Sequence, residues 1–78
     1  MPLKQQLVDE IEVLLRYNLD TTHEGLKVRN DARQELRDAT HRLFEKGLVS
    51  QDDGGYLTDL GHEVAEHTQA ALAILNPQ

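Results

Sequence analysis

Residues 48–58 contain the signal that most constrains the fold of this chain. Two short β-prone segments, Leu48-Val49-Ser50 and Tyr56-Leu57, flank the run Gln51-Asp52-Asp53-Gly54-Gly55. Tight hairpin turns need residues that adopt a positive φ angle, and an Asp-Gly step supplies one. We therefore predict a β-hairpin with strands 48–50 and 56–57 and a turn at Asp53-Gly54.

Apolar residues recur at helical spacing on both sides of this hairpin. The spacing predicts amphipathic helices over residues 3–17, 32–46 and 58–75. Asp31 with Gln34 is expected to cap the second helix and Gly47 to end it, while Thr58 caps the third. The expected buried faces are, in chain order, Leu3, Leu7, Ile11 and Leu14; then Ala32, Leu36, Ala39 and Leu43; then Leu60, Val64 and Ala71.

The segment between the first two helices is less regular. Residues 20–24 offer capping side chains for a single helical turn, which Gly25 stops. The alternation that follows over residues 26–29 predicts a short strand with Leu26 and Val28 inward and the two basic residues outward. The expected fold is therefore α+β and mainly helical, a single domain over residues 1–78 with three main helices and a small β-hairpin.

Residues 43–61 resemble the wing region of winged-helix transcription regulators of the multiple-antibiotic-resistance and phenolic-acid-response types. The helix ends in Lys46-Gly47, the hairpin follows, and Leu57-Thr58-Asp59-Leu60-Gly61 opens the next helix. The resemblance implies a winged-helix-like fold. The sequence departs from that pattern because only the turn at 20–24 stands where a full helix should precede the recognition helix. It also places Asp52 and Asp53 in the wing, where Arg or Lys usually contacts DNA.

The whole sequence is also similar to a family of small, uncharacterised gammaproteobacterial proteins of about the same length as this chain of 78 residues. The matching stretches include Gly25-Leu26-Lys27-Val28 and residues 53–61. This resemblance implies no particular activity.

Charge is distributed unevenly along the chain, whose net charge is −6. Residues 1–24 carry −3, residues 25–46 carry +2, and residues 47–78 carry −5 with no Lys or Arg. Because phosphate binding depends on clustered cations, only the middle segment can meet an anionic partner. The candidate nucleic-acid-binding residues all lie there: Lys27, Arg29, Arg33, Arg37 and His41.

Two functional hypotheses follow from these charges. In the first, the chain is a homodimeric, winged-helix-like accessory transcriptional regulator whose second helix makes weak electrostatic contact with DNA. In the second, it is a protein-interaction adaptor on the same scaffold with no nucleic-acid contact. A contiguous positive face on helix 32–46 favours DNA, whereas a face broken by Glu35, Asp38 and Glu45 favours the adaptor. Ordinary helix pairs, Asp38–Arg42 and His41–Glu45, are also expected there.

Self-association is expected because the chain is small and has no cysteine. Domains of this size usually need oligomerisation, a metal or disulfides to supplement a small core. The apolar positions of helix 58–75 cover a wider arc than packing on one side requires. We therefore predict a homodimer with Ala65, Leu72 and Leu75 as candidate interface residues.

No catalytic or metal site is expected. His62 and His67 are five residues apart, about 140° around a helix, whereas two helical ligands of one metal are spaced by four residues. We expect His67 to pack within the apolar stripe instead. No Ser/His/Asp arrangement is recognisable, so we predict a protein that is not an enzyme and needs no cofactor. Since neither a signal peptide nor a long apolar run is present, we expect a cytoplasmic location and no membrane contact.

Overall fold

The computed structural model describes residues 3–19 and 25–76, and in these residues it has three helices and one three-stranded sheet. The predicted α+β class, with three main helices and a hairpin, is confirmed. The helical turn predicted at residues 20–24 lies outside the described residues. In chain order the elements are α1 (Gln5–Leu14), β1 (Leu26–Lys27), α2 (Gln34–Glu45), β2 (Val49–Gln51), β3 (Gly54–Leu57) and α3 (Asp59–Leu75).

The core lies between the helices and the inner side of the sheet, whose strand order is β1-β3-β2 with antiparallel neighbours. Of the stripe predicted for α2, Leu36, Ala39 and Leu43 are buried, whereas Ala32 precedes the helix and is half-buried. Val28 after β1 faces inward as expected, while the side chains of Lys27 and Arg29 face solvent. The buried apolar residues are Val13, Leu14, Tyr17, Val28, Leu36, Ala39, Leu43, Leu48, Val49 and Ala65.

α1 is shorter than predicted and buries a different face. Leu3 is 60% exposed and Leu7 39%, whereas Val13 and Tyr17 are buried. The predicted buried face was therefore wrong at its N-terminal end. The apolar arc of α1 is wider than one neighbouring helix can cover, and α2 packs against the side that includes Glu10.

The two ends of α2 differ in how well they were predicted. Arg33 is the N-cap and makes no side-chain capping bond, so the expected pair of Asp31 and Gln34 does not form. At the other end, Gly47 has φ +80°, and its N–H donates to the Phe44 carbonyl at 3.0 Å. The N–H of residue 48 donates to the carbonyl of residue 43 at 2.9 Å, which completes the predicted left-handed C-cap.

The hairpin is confirmed, with its turn shifted by one residue. Asp52 and Asp53 form the turn, and the positive φ angles fall at Gly54 (123°) and Gly55 (73°) in β3. Val49 pairs with residue 57 and residue 51 with residue 54, so β2 and β3 enclose a bulge. The glycines are needed because a Cβ on Gly54 would lie 2.4 Å from the Leu26 carbonyl oxygen of β1.

Thr58 caps α3 as predicted and also ties it to the end of α2. Its hydroxyl accepts from the Gly61 N–H at 3.0 Å and donates to the Gly47 carbonyl at 2.6 Å. The buried line of α3 consists of Gly61 and Ala65, whereas Leu60 is 50% exposed. The predicted core face was therefore wrong at Leu60 and Ala71, which are exposed, whereas Val64 packs partly against the core. The small residues let the helix backbone approach Leu48 closely. Across the described part of the chain, every helix is too short or too polar to cross a membrane.

Candidate functional site

A polar groove of about 220 Å³ lies between α2, the segment after β1 and the hairpin turn. Two of the five predicted nucleic-acid-binding residues, Arg37 and His41, lie in it, one helical turn apart. Two of its lining residues, Val28 and Thr40, are buried. The groove is lined by Val28, Asn30, Gln34, Arg37, Asp38, Thr40, His41, Asp52 and Asp53.

Arg37 joins the segment after β1 to α2. Its guanidinium donates to the carbonyl oxygen of Asn30 at 2.6 Å and to the side-chain oxygen of Gln34 at 3.0 Å. The amide nitrogen of Gln34 in turn donates to the Asp38 carboxylate at 2.7 Å. Two donors of Arg37 are therefore used within the chain, and its side chain is fixed in the groove.

His41 lies between two carboxylates. Its Nδ1 contacts the Asp52 carboxylate of the hairpin turn, and its Nε2 lies 3.6 Å from the Glu45 carboxylate one turn along α2, which is the predicted pair. The hydrogen bond and charge of Asp52 raise the pKa of His41 above its ordinary value of 6.5, and Glu45 and Asp38 act in the same direction. This contact links the hairpin turn to α2.

Of the remaining predicted cations, Lys27 and Arg29 line a neighbouring groove and Arg33 is the N-cap of α2. Lys27, Arg29 and Arg33 are exposed, and the Arg29 guanidinium is 3.8 Å from the Asp31 carboxylate. A second groove of about 400 Å³ shares Asn30 and Asp53 with the first and is lined by Lys27, Arg29, Asn30, Asp31 and Asp53. The structure therefore brings four of the five predicted residues into two adjoining grooves, and each groove also contains carboxylates.

A hydrogen bond from Tyr17 connects the segment after α1 to strand β3 of the hairpin. The phenol, which follows α1, donates to the Gly55 carbonyl oxygen at 3.2 Å. Burial, together with the nearby charge of Asp53, raises the pKa of Tyr17 to about 12. The side chain therefore stays a neutral donor and fixes β3 relative to α1.

Sequence reasoning missed an ion cluster between α1 and α2 in which one buried carboxylate contacts two partly exposed cations. The Glu10 side chain is 7% exposed, accepts from Arg42 Nε at 3.0 Å and contacts the Lys46 ammonium. Arg42 also donates to the Gln6 carbonyl at 3.0 Å, so it turns towards α1 and not towards Asp38 as predicted. Two signals were present: Glu10 falls inside the apolar pattern of α1, and the two cations are four residues apart on α2.

On α3, His67 and Ala65 are placed differently from the prediction, whereas Leu72 and Leu75 are accessible. His62 Nδ1 lies 3.2 Å from the Glu66 carboxylate. His67 is exposed and borders an apolar groove between α1 and α3, so its predicted packing within the core was wrong. Ala65 is fully buried within the chain and cannot reach a second copy, whereas Leu72 is partly exposed and Leu75 is 77% exposed.

Comparison with known proteins identifies the family. Residues 1–76 match the model of a family of unknown function (DUF5669), and the chain belongs to that family. No curated protein and no solved structure matches the chain.

Proposed function

Because the family to which the chain belongs has no assigned function, we propose from the site that the chain is a protein-interaction adaptor. It docks a segment of another protein against α2 and the hairpin turn and makes no contact with nucleic acid. The observation that carries this proposal is the interruption of the cationic face of α2 by carboxylates from both α2 and the hairpin.

The charges of the groove oppose a phosphate backbone. Arg37 and His41 share the groove with Asp38, Asp52 and Asp53, so carboxylates outnumber cations. Nucleic-acid affinity rests on uncompensated cations that displace counterions. In this groove the histidine already contacts the Asp52 carboxylate, and the whole chain carries −6.

The same groove suits a polypeptide. A peptide backbone offers both N–H donors and carbonyl acceptors, and its side chains carry either charge. The amides of Asn30 and Gln34, the Arg37 guanidinium and the carboxylate of Asp53 present both kinds of partner within one concave surface. Because the carboxylates are in excess, a partner segment that contains Lys or Arg fits best.

Affinity capture with a matched pair of variants tests the proposal. The tagged chain is incubated with native lysate, with and without nuclease, and retained proteins are identified. We expect the same proteins to be retained after nuclease treatment, and to be lost with Arg37→Ala but not with Arg16→Ala. The control removes an equal charge from an exposed position after α1. Melting curves of both variants confirm that each is folded. Retention that disappears with nuclease, or that survives Arg37→Ala, overturns the proposal.

Weak DNA binding by a winged-helix-like regulator is the second candidate. It is favoured by the exposure of Lys27, Arg29 and Arg33 and by the resemblance of residues 43–61 to a wing. With so few phosphate contacts, the logarithmic salt dependence of such binding has a slope of magnitude about 2–4. A shallow slope with measurable affinity at low salt is its signature.

A further inference from the structure

A third groove, of about 330 Å³, lies between the first half of α1 and the end of α2. Its α1 side includes Leu3, which precedes the helix, and Leu7, and these residues are 60% and 39% exposed. Its α2 side consists of Arg42 and Lys46, which are one helical turn apart. One side of the groove is therefore apolar and the other is cationic. We refer to it as the α1–α2 groove.

The α1–α2 groove carries an excess of positive charge. Lys4 joins Arg42 and Lys46 there, and Glu10 has the one carboxylate among the described residues that line it. Three positive charges and one negative charge leave +2, in a chain whose net charge is −6. Each of the two grooves near the hairpin turn contains at least two carboxylates. Of the three grooves, the α1–α2 groove is therefore the one that suits an anionic group.

The neighbouring carboxylates on α1 and α2 do not balance this charge. Asp9 accepts from the Gln5 amide at 2.9 Å, and the Glu45 carboxylate lies 3.6 Å from His41. Neither Asp9 nor Glu45 lines the groove. The positive excess therefore persists in the described part of the folded chain.

Glu10 fixes the two cations of α2 in place but cannot neutralise both. Its side chain is 7% exposed, accepts from Arg42 Nε at 3.0 Å and contacts the Lys46 ammonium. Arg42 also donates to the Gln6 carbonyl at 3.0 Å. The Arg42 and Lys46 side chains remain 26% and 52% exposed. A carboxylate brought to the groove therefore meets donors that are already positioned for charge-assisted hydrogen bonds.

A polypeptide bound in this groove has to satisfy its own backbone. The walls are helices, whose N–H and C=O groups bond mainly within the helix, so they offer no strand edge for an extended segment. A bound helix bonds its own backbone internally and presents side chains to the groove. Apolar side chains one turn apart contact Leu3 and Leu7, and a flanking carboxylate reaches Arg42 or Lys46.

We propose that the α1–α2 groove binds an acidic amphipathic helix of another protein. Charge selects this partner, because a helix with Lys or Arg beside its apolar stripe would bring like charges together. The groove shares no lining residue with the groove of the proposed function, which favours a basic segment. With both grooves occupied, the chain bridges two partners of opposite charge.

Selection of displayed peptides on the full chain tests the charge of the partner. The library encodes helical peptides with two leucines one turn apart and random residues at the flanking positions. Selected peptides are then sorted by whether they still bind Leu3→Ala. We expect the peptides that depend on Leu3 to be enriched in Asp and Glu at the flanking positions. Enrichment of Lys or Arg in that set overturns the inference, as does the absence of any peptide that depends on Leu3.

Fluorescence anisotropy with the most enriched peptide tests the position of the site. Leu3→Ala should raise the dissociation constant about tenfold, because an apolar anchor contact is lost. Leu60→Ala, on α3 and similarly exposed at 50%, should leave it unchanged. Lys4→Ala should raise it about twofold to fivefold, and Arg16→Ala should not. Arg37→Ala should not change it either, so this result is separate from that of the proposed function.

Two further results would overturn the inference. The first is equal peptide affinity of Leu3→Ala and Leu60→Ala. The second is self-association of the unmodified chain, seen by sedimentation equilibrium and abolished by Leu3→Ala, because the groove then binds a second copy. Since both leucines are exposed, melting curves of the two variants should match and exclude a loss of folding.

Discussion

Gly61 lies in the first turn of α3, where the helix backbone meets the end of α2. A Cβ atom at this position would stand 1.8 Å from the Leu48 carbonyl oxygen, and real Cβ atoms essentially never approach closer than 3.0 Å. Gly61→Ala therefore forces the two segments apart by more than 1 Å. The same carbonyl accepts from the Thr58 N–H at 3.0 Å, so the displacement also disturbs the start of α3.

The magnitude follows from three effects. Forcing a methyl group into a closed contact costs about 1–3 kcal/mol. Disturbing the Thr58 hydrogen bond adds about 1 kcal/mol, and the higher helix propensity of alanine offsets about 1 kcal/mol. We expect the free energy of unfolding to fall by about 1–3 kcal/mol, a large part of the roughly 4–12 kcal/mol typical of a domain of this size. The melting temperature should fall by roughly 5–20 °C.

Urea and thermal unfolding followed by circular dichroism measure this loss. Gly47→Ala is the control, because its added Cβ meets no atom within 4 Å and its cost comes only from a φ of +80°. That cost is about 1–2 kcal/mol. The reasoning is refuted if Gly61→Ala is as stable as the unmodified chain.

Three further predictions concern ionisable groups. Glu10→Gln should lower the free energy of unfolding by about 1–3 kcal/mol, because its two cationic partners on α2 lose their charge partner; an unchanged urea midpoint would contradict this. The NMR titration midpoint of His41 should lie above 6.5 and move down in Asp52→Asn. Because folding raises the pKa of His41, the stability that the contact with Asp52 contributes is fully present below pH 6.5 and is lost as pH rises through the folded-state pKa. A His41 titration midpoint at 6.5 would refute the contact. One of the two tyrosines, Tyr17, should titrate by ultraviolet absorbance only near pH 12, and a midpoint near 10 would exclude its burial.

The predictions that succeeded from sequence concern local backbone bonding. The C-cap at Gly47, the Thr58 cap and the hairpin depend on residues within a few positions of one another. Glycine conformation and side-chain caps act at that range, which is why these three predictions succeeded. Local range alone was not sufficient, since the cap predicted from Asp31 and Gln34 does not form. The turn was misplaced by one residue because a bulge in β3 moves the positive φ angles to Gly54 and Gly55.

The choice of buried face could not be predicted for α1 and α3. Both helices have apolar arcs wider than a single neighbouring element covers. Periodicity alone therefore does not decide which of two possible faces of each helix is buried. Close approach at Gly61 selects the inner face of α3, and the ion cluster at Glu10 selects that of α1. Each depends on residues distant in the sequence. This is why Ala65, predicted at an interface, lies in the core.

The candidate site was partly predictable for the same reason. Arg37 and His41 are four residues apart on one helix, so their common groove follows from spacing. The contact of Asp52 with His41 joins residues eleven positions apart through the fold of the hairpin. The cationic residues were therefore predicted, whereas their neutralisation by the hairpin turn required the structure.

A titration of fluorescently labelled duplex DNA at low salt tests the adaptor proposal most directly. Because carboxylates accompany the cations in both grooves, we predict no change in anisotropy up to about 100 µM protein. Arg37→Ala and Arg16→Ala should behave as the unmodified chain does. Saturable binding that weakens with added salt and is reduced by Arg37→Ala but not by Arg16→Ala would contradict the account, and would establish α2 as a DNA-contacting helix.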